Sequence, residues 1–163
     1  MREIRRKEKE IKNKAEMITI LESVKYVTVA MSMDNEPYIA TLSHGYDREK
    51  SCIYFHCAQE GKKIDILKKN DIVWGQALED HGYADGSCDH LYATTQFRGR
   101  VTFVKDSQEK RHALSVMINQ LESDPQKVSD EQITEKSVER VNIGRIDIDY
   151  MSGKKAKEVV ISI

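Results

Sequence analysis

Long apolar runs are missing from this sequence. No stretch reaches the length that would span a bilayer, and the N-terminus lacks the apolar segment of a secretory signal. The chain is therefore expected in the cytoplasm, with no membrane partner. Charge of one sign is not in surplus either: 26 Lys and Arg stand against 27 Asp and Glu, which removes the broad positive surface that nucleic acid selects. The basic residues near the start (Arg2, Arg5, Arg6, Lys7, Lys9, Lys12, Lys14) are interleaved with Glu3, Glu8, Glu10 and Glu16, the pattern of an ion-paired helix face. Cysteine is sparse. Cys52, Cys57 and Cys88 form no Cys-x-x-Cys pair and are odd in number, so neither a disulfide framework nor a structural zinc site is expected. A Gly-x-Ser-x-Gly elbow, a P-loop and a Rossmann Gly-x-Gly-x-x-Gly are all absent. Cys57 beside His56 cannot form a dyad within one strand, because neighbouring side chains point to opposite faces. No repeat, low-complexity tract or linker divides the 163 residues, so one domain, 1–163, is expected.

What is present is organised around residues 51–70. Cys52–Cys57 alternates apolar and aromatic side chains and reads as a strand, its two cysteines packing as small apolar groups on opposite faces. A polar turn, Ala58-Gln59-Glu60-Gly61, leads into a short helix over Lys62–Lys69 that buries Ile64 and Leu67 and stops at Asn70. Lys62 and Lys63 fall in the first turn, where unpaired N–H groups and the macrodipole already make the site positive. Each is unfavourable there by roughly 0.3–1 kcal/mol. A bound anion reverses that sign, since ammonium and N–H groups then converge on it. The alternatives are that both lysines are solvated, or that Glu60 neutralises them.

Around this unit, residues 3–23 favour helix, with Ile4, Ile11, Ala15, Ile18 and Leu21 at helical spacings. Residues 26–33, 38–43 and 52–57 read as three strands joined by short polar turns, an antiparallel meander. A fourth strand, 71–77, holds the single Trp, and 80–89 is a polar loop. Residues 91–104 form a long strand in which Gly99 marks a bulge. Asp106 with Glu109 caps a helix that ends before Asp124-Pro125, and Ser129 with Gln132 caps a shorter one. Residues 141–150 are a half-exposed strand. The class expected is mainly β with peripheral helices, a six-stranded antiparallel barrel. Its layout is an N-terminal helix (1–23), the barrel with inserted helices (24–155) and a C-terminal edge strand (156–163).

The histidines are scattered. His81 and His90 flank the loop with Asp80, Asp85, Cys88 and Asp89, a spacing that matches no metal motif, so no metal is expected. His112 reads as a surface residue. His44 and His56 end two successive strands expected to pair, which puts both at one mouth of the barrel; the alternative is a strand-end histidine bonded to a neighbouring carbonyl.

Three segments carry a resemblance: Tyr-Ile-Ala-Thr-Leu-Ser-His-Gly-Tyr at 38–46, Ile-Tyr-Phe-His-Cys-Ala-Gln-Glu-Gly-Lys-Lys-Ile-Asp-Ile-Leu-Lys-Lys-Asn at 53–70, and Arg-Gly-Arg-Val-Thr-Phe-Val at 98–104 followed by Glu-Lys-Arg-His-Ala-Leu at 109–114. Over 24–155 the chain resembles the pyridoxamine 5′-phosphate oxidase-like FMN-binding split barrels, and within them the branch that includes nitroimidazole-resistance (Nim-type) proteins. The resemblance implies a flavoprotein homodimer with FMN in a groove between two barrels, and a nitroreductase-like oxidoreductase that takes electrons from a nicotinamide for a small aromatic acceptor. By position, Lys62 matches the phosphate-binding lysine, with Lys63 beside it. Thr41, Leu42 and Ser43 match the strand whose backbone lies along the flavin ring, Phe55 and His56 the strand end at phosphate and ribityl, and Thr94 and Gln96 the ring-side part of the long strand. His44 is the candidate on the substrate side. Two departures stand out. The arginine- and tryptophan-containing C-terminal segment of the true oxidases is missing, so vitamin B6 synthesis is not expected. No arginine on 38–43 assists the phosphate, which leaves room for FAD. The other readings are a haem-handling split barrel with His44 or His56 as ligand, and a flavin-binding module without catalysis.

Overall fold

The computed structural model describes residues 3–163. In chain order they form β1 (Glu10–Ile11), α1 (Lys14–Ser23), β2 (Tyr26–Met33), β3 (Glu36–Ser43), β4 (Gly45–Asp47), β5 (Cys52–Cys57), α2 (Lys62–Lys69), β6 (Ile72–Ala84), β7 (Asp89–Val104), α3 (Ser107–Leu121), α4 (Pro125–Gln132), α5 (Glu135–Arg140) and β8 (Asn142–Lys155). All eight strands join one antiparallel sheet in the order β3-β2-β6-β7-β8-β5-β4, with β1 on the far half of β8. The end strands β3 and β4 do not pair with each other, so the curled sheet is a barrel with a split. Eight strands replace the expected six because β1 and β4 are two and three residues long, too short to show a period.

Alternation decides what each strand buries. Val27 and Val29 of β2, Ile53 and Phe55 of β5, and Phe97 of β7 fill the interior, and Ile20 and Leu21 of α1 pack into the same cluster. The other face of β5 is buried as well: Cys52 and Tyr54 pack with Ala113 and Met117 of α3. Each such fully buried large side chain stabilises the fold by roughly 1.5–3 kcal/mol, so β5, covered on both faces, anchors the sheet.

Several expectations need correction. The helix expected over 1–23 starts only at Lys14, where the Asn13 side chain accepts the Ala15 N–H at 2.9 Å; Glu10 and Ile11 pair with Lys154 and Gly153 instead. The part of that expectation on Met1 and Arg2 lies outside the described residues. The 80–89 loop is a two-stranded arm, because β6 and β7 run on through a bulge between Asp80 and Tyr83. The meander fails at β3, which pairs with β2 alone, while β5 lies between β4 and β8. Residues 156–163 form no strand: the Val159 N–H turns back to the Ala156 carbonyl and its side chain enters the core. Asp124 and Thr134, not Ser129, cap α4 and α5. Gly99 does sit at a register shift, where a Cβ would lie 2.5 Å from the Asp147 carbonyl oxygen. Among the described residues, no helix is long and apolar enough to cross a membrane.

Candidate functional site

The N-terminus of α2 sits at the split. Gly61, at φ +131°, lets the chain turn sharply off β5 into the helix and provides no side-chain cap. Its carbonyl accepts from Ile64 and Asp65, which leaves the Lys62 and Lys63 N–H groups without an intrahelical acceptor. The two side chains then diverge. The Lys62 ammonium reaches β3, 3.4 Å from Glu36 Oε1 and 5.1 Å from the centre of the Tyr38 ring. Lys63 reaches β5, 5.8 Å from the centre of the Phe55 ring. It also lies close enough to Cys57 that its charge opposes the burial pushing that thiol's pKa up. Among the described residues, β5 beyond Tyr54 has no partner on its β4 side, so there it forms the lip facing β3, and the two cations stand over opposite lips of the split. The Lys62–Glu36 pair is exposed on both sides and is worth at most about 1 kcal/mol, so it yields to a stronger anion.

The β3 lip has free backbone. A two-residue turn at Asp34 and Asn35, both at positive φ, makes Met33 and Glu36 the first bonded pair of the hairpin. Alternation from there points the N–H and C=O of Thr41 and Ser43 away from β2. Pro37, which has no N–H, falls in the same phase, where none is needed. The Thr41 and Ser43 side chains are exposed, whereas Leu42 has its side chain buried and its main chain in the phase that bonds to β2, so it offers a ligand neither.

Thr94 and Gln96 lie elsewhere. Thr94 is buried and donates to the Ala77 carbonyl at 2.8 Å; Gln96 is exposed and donates to Gln76 Oε1 at 3.3 Å. Register places Thr41, Thr28, Gln76 and Gln96 in one row across the outer face of the sheet. Three strand spacings separate Thr41 from Gln96, about 14 Å. One small ligand in the split cannot touch both ends of that row within one chain.

The histidines part company. His44 is fully buried and does not reach a substrate surface. Its Nε2 lies 2.8 Å from the Leu21 carbonyl, which can only accept, so Nε2 carries the proton. Nδ1 has no partner, and burial lowers the pKa, partly offset by the Leu21 bond. Gln120 completes the cluster by donating to Leu21 and Val24 carbonyls and accepting the Tyr46 N–H. The strand-end histidine bonded to a carbonyl is therefore the reading that holds for His44. His56 pairs with Ile143 on β8 and is exposed; alternation turns it to the side opposite Phe55, so the two histidines share no mouth. His112 is an exposed surface residue, as expected, with its Nε2 2.6 Å from Asp47 Oδ2. Burial acts to raise the Asp47 carboxyl, but His112 and the Lys50 and Glu49 N–H groups hold it below its ordinary value. Among the described residues no cluster of His, Cys, Asp or Glu could hold a metal ion.

Glu36 and Tyr38 as partners of Lys62 were not legible in the sequence, nor, for the most part, was the exposure of large apolar side chains on the outer face. One signal was available: Trp74, Gln76 and Leu78 alternate with Val73, Gly75 and Ala77, which puts the single Trp on the side away from the core, 39% exposed.

The sequence profile of the pyridoxamine 5′-phosphate oxidase family matches residues 13–155. No curated protein sequence matches the chain significantly. Among solved structures, the chain is similar to a candidate 5-nitroimidazole antibiotic resistance protein from Bacteroides thetaiotaomicron, with a TM-score of 0.76 and 25% identity over 89% of this chain and 85% of that one. It is also similar to the FAD and haem binding protein from Mycobacterium smegmatis (TM-score 0.76, 14% identity, 95% and 76% covered). A third likeness is to an FAD-binding protein from Mesorhizobium loti (TM-score 0.64, 22% identity, 88% and 95% covered). At those identities the last two likenesses concern the fold.

Proposed function

Because the chain belongs to the pyridoxamine 5′-phosphate oxidase family, we propose that it is a flavin-binding homodimer, an FMN-dependent oxidoreductase of the nitroreductase kind acting on a small aromatic acceptor. The observation that carries this reading is the pair of lysines astride the split. A nucleotide phosphate carries nearly two negative charges, and the uncapped N–H groups of α2 with Lys62 and Lys63 fit it. The free main-chain groups of Thr41 and Ser43 are rigid donors and acceptors available to a flavin's polar edge. Bound flavin supplies electron transfer between a nicotinamide and the acceptor; the chain's own part is to hold and orient it, and no side chain is needed as nucleophile.

The homodimer rests on the outer face. Tyr26, Ile39 and Leu78 are 63%, 65% and 50% exposed there, a concentration of large apolar groups that a second copy would cover. Two copies meeting on this face also give Thr94 and Gln96 a role in the partner's groove that distance denies them in their own.

The test is an FMN titration of the purified protein and of the double variant Lys62→Ala/Lys63→Ala. Affinity should fall at least tenfold, about 1.4 kcal/mol; an unchanged affinity refutes the phosphate assignment. Protein that is colourless and binds neither added FMN nor FAD overturns the flavin reading altogether. Oxidation of NADH or NADPH dependent on a nitroaromatic acceptor tests the enzymatic half.

A further inference from the structure

A hollow of about 400 Å³ opens where residues 3–5 cross the outer face of the sheet, within the size range of small-ligand sites. Its aromatic wall is Trp74 on β6 and Tyr150 on β8, edge to face with ring centres 5.8 Å apart. Register places Arg98 of β7 between the two rings, and Gln96 and Thr94 line the hollow further along the same strand, toward Lys154. Its cations are Arg5 and Lys154. The one carboxylate at the rim, Glu3, is engaged by Lys7 at 3.0 Å, as is the nearby Glu10 at 3.6 Å. The pocket therefore combines two flat aromatic surfaces with two cations that, among the described residues, have no salt-bridge partner.

We infer that this hollow binds a planar aromatic carboxylate, its ring against Trp74 and Tyr150 and its carboxylate toward Arg5 and Lys154. Ring edges and faces favour an aromatic guest beyond the area they bury, and a guanidinium fork matches a carboxylate bidentately. A neutral aromatic of the same shape forgoes the second interaction. As the acceptor subsite of the enzyme, the assignment rests on the flavin reading above, because it uses the Thr94 and Gln96 positions. As a binding site it stands without flavin.

Trp74 is the single tryptophan, so its fluorescence reports occupancy directly. The protein as purified is titrated with 4-nitrobenzoate and with 4-nitrobenzamide, each affinity being checked by calorimetry. Quenching should saturate with the carboxylate at least tenfold more tightly than with the amide. Arg5→Gln/Lys154→Gln should remove that advantage and leave amide binding unchanged; neither side chain is part of the core, so the fold is retained. Equal affinities for the two ligands, or a carboxylate affinity untouched by the double variant, overturn the assignment. The Lys62→Ala/Lys63→Ala protein should still bind 4-nitrobenzoate. Loss of binding there would put the anion in the split instead and sink this assignment, whereas loss of FMN alone bears only on the flavin site.

Discussion

Replacing His44 by glutamine separates a packing role from a role in the chemistry. His44 is fully buried with Nε2 bonded to the Leu21 carbonyl and Nδ1 unpartnered, and burial lowers its pKa below the ordinary 6.5. The unfolded chain therefore takes up the proton first as pH falls. The stability that neutral His44 contributes is present above about pH 6.5 and is lost as pH drops through that value toward the folded one. An ordinary histidine goes from about one-tenth to nine-tenths protonated between pH 7.5 and 5.5, so the largest loss across that interval is about 1.4 kcal/mol. Glutamine places an amide N–H near the Nε2 position, keeps the donor to Leu21 and does not titrate. Urea unfolding of both proteins at the two pH values gives the comparison. The wild type should lose up to about 1.4 kcal/mol more than the variant, while flavin affinity at pH 7.5 is the same in both. Equal losses, or a greater loss in the variant, would refute the reasoning; a collapse of flavin affinity in a stably folded variant would give His44 a part in the flavin site beyond packing.

Two further outcomes test the fold and the assembly. Gly75→Ala should destabilise by about 1–3 kcal/mol in chemical denaturation, since a Cβ there would lie 2.1 Å from the Phe97 ring; an unshifted midpoint means the ring has room to move. Ile39→Arg, at an exposed position on the outer face, should convert the proposed dimer to a monomer in sedimentation, and an unchanged mass moves the interface elsewhere.

The central unit was legible because its signals agree. The alternation of β5, the turn ending in Gly61 and the amphipathic Lys62–Lys69 segment each point the same way, and the helix occupies those residues, with Asn70 bonded back to Ile66. The β6–β7 arm was read as a loop because both its faces meet solvent beyond Asp80, which removes the alternation that betrays a strand. Helical propensity misled at the N-terminus, where pairing with β8 outweighs it; Asn13 was the capping signal available there. Val159 attracted a strand assignment from composition, yet its contribution is one buried side chain. The position of His44 could not be read locally, since its acceptor Leu21 and its neighbour Gln120 come from helices 23 residues before and 76 residues after it.

The divergence of Lys62 and Lys63 has a mechanical consequence. One reaches toward β3 and the other toward the end of β5 beyond its pairing with β4, margins that no backbone ladder joins. The proposed dianion, gripped by both, would be a cross-tie in a structure otherwise left ajar, bracing the protein as well as placing the flavin. At a hundred times its dissociation constant, such a ligand adds about 2.7 kcal/mol to the unfolding free energy. The brace acts first on β3, whose amide exchange should slow before that of the strands buried deeper in the sheet.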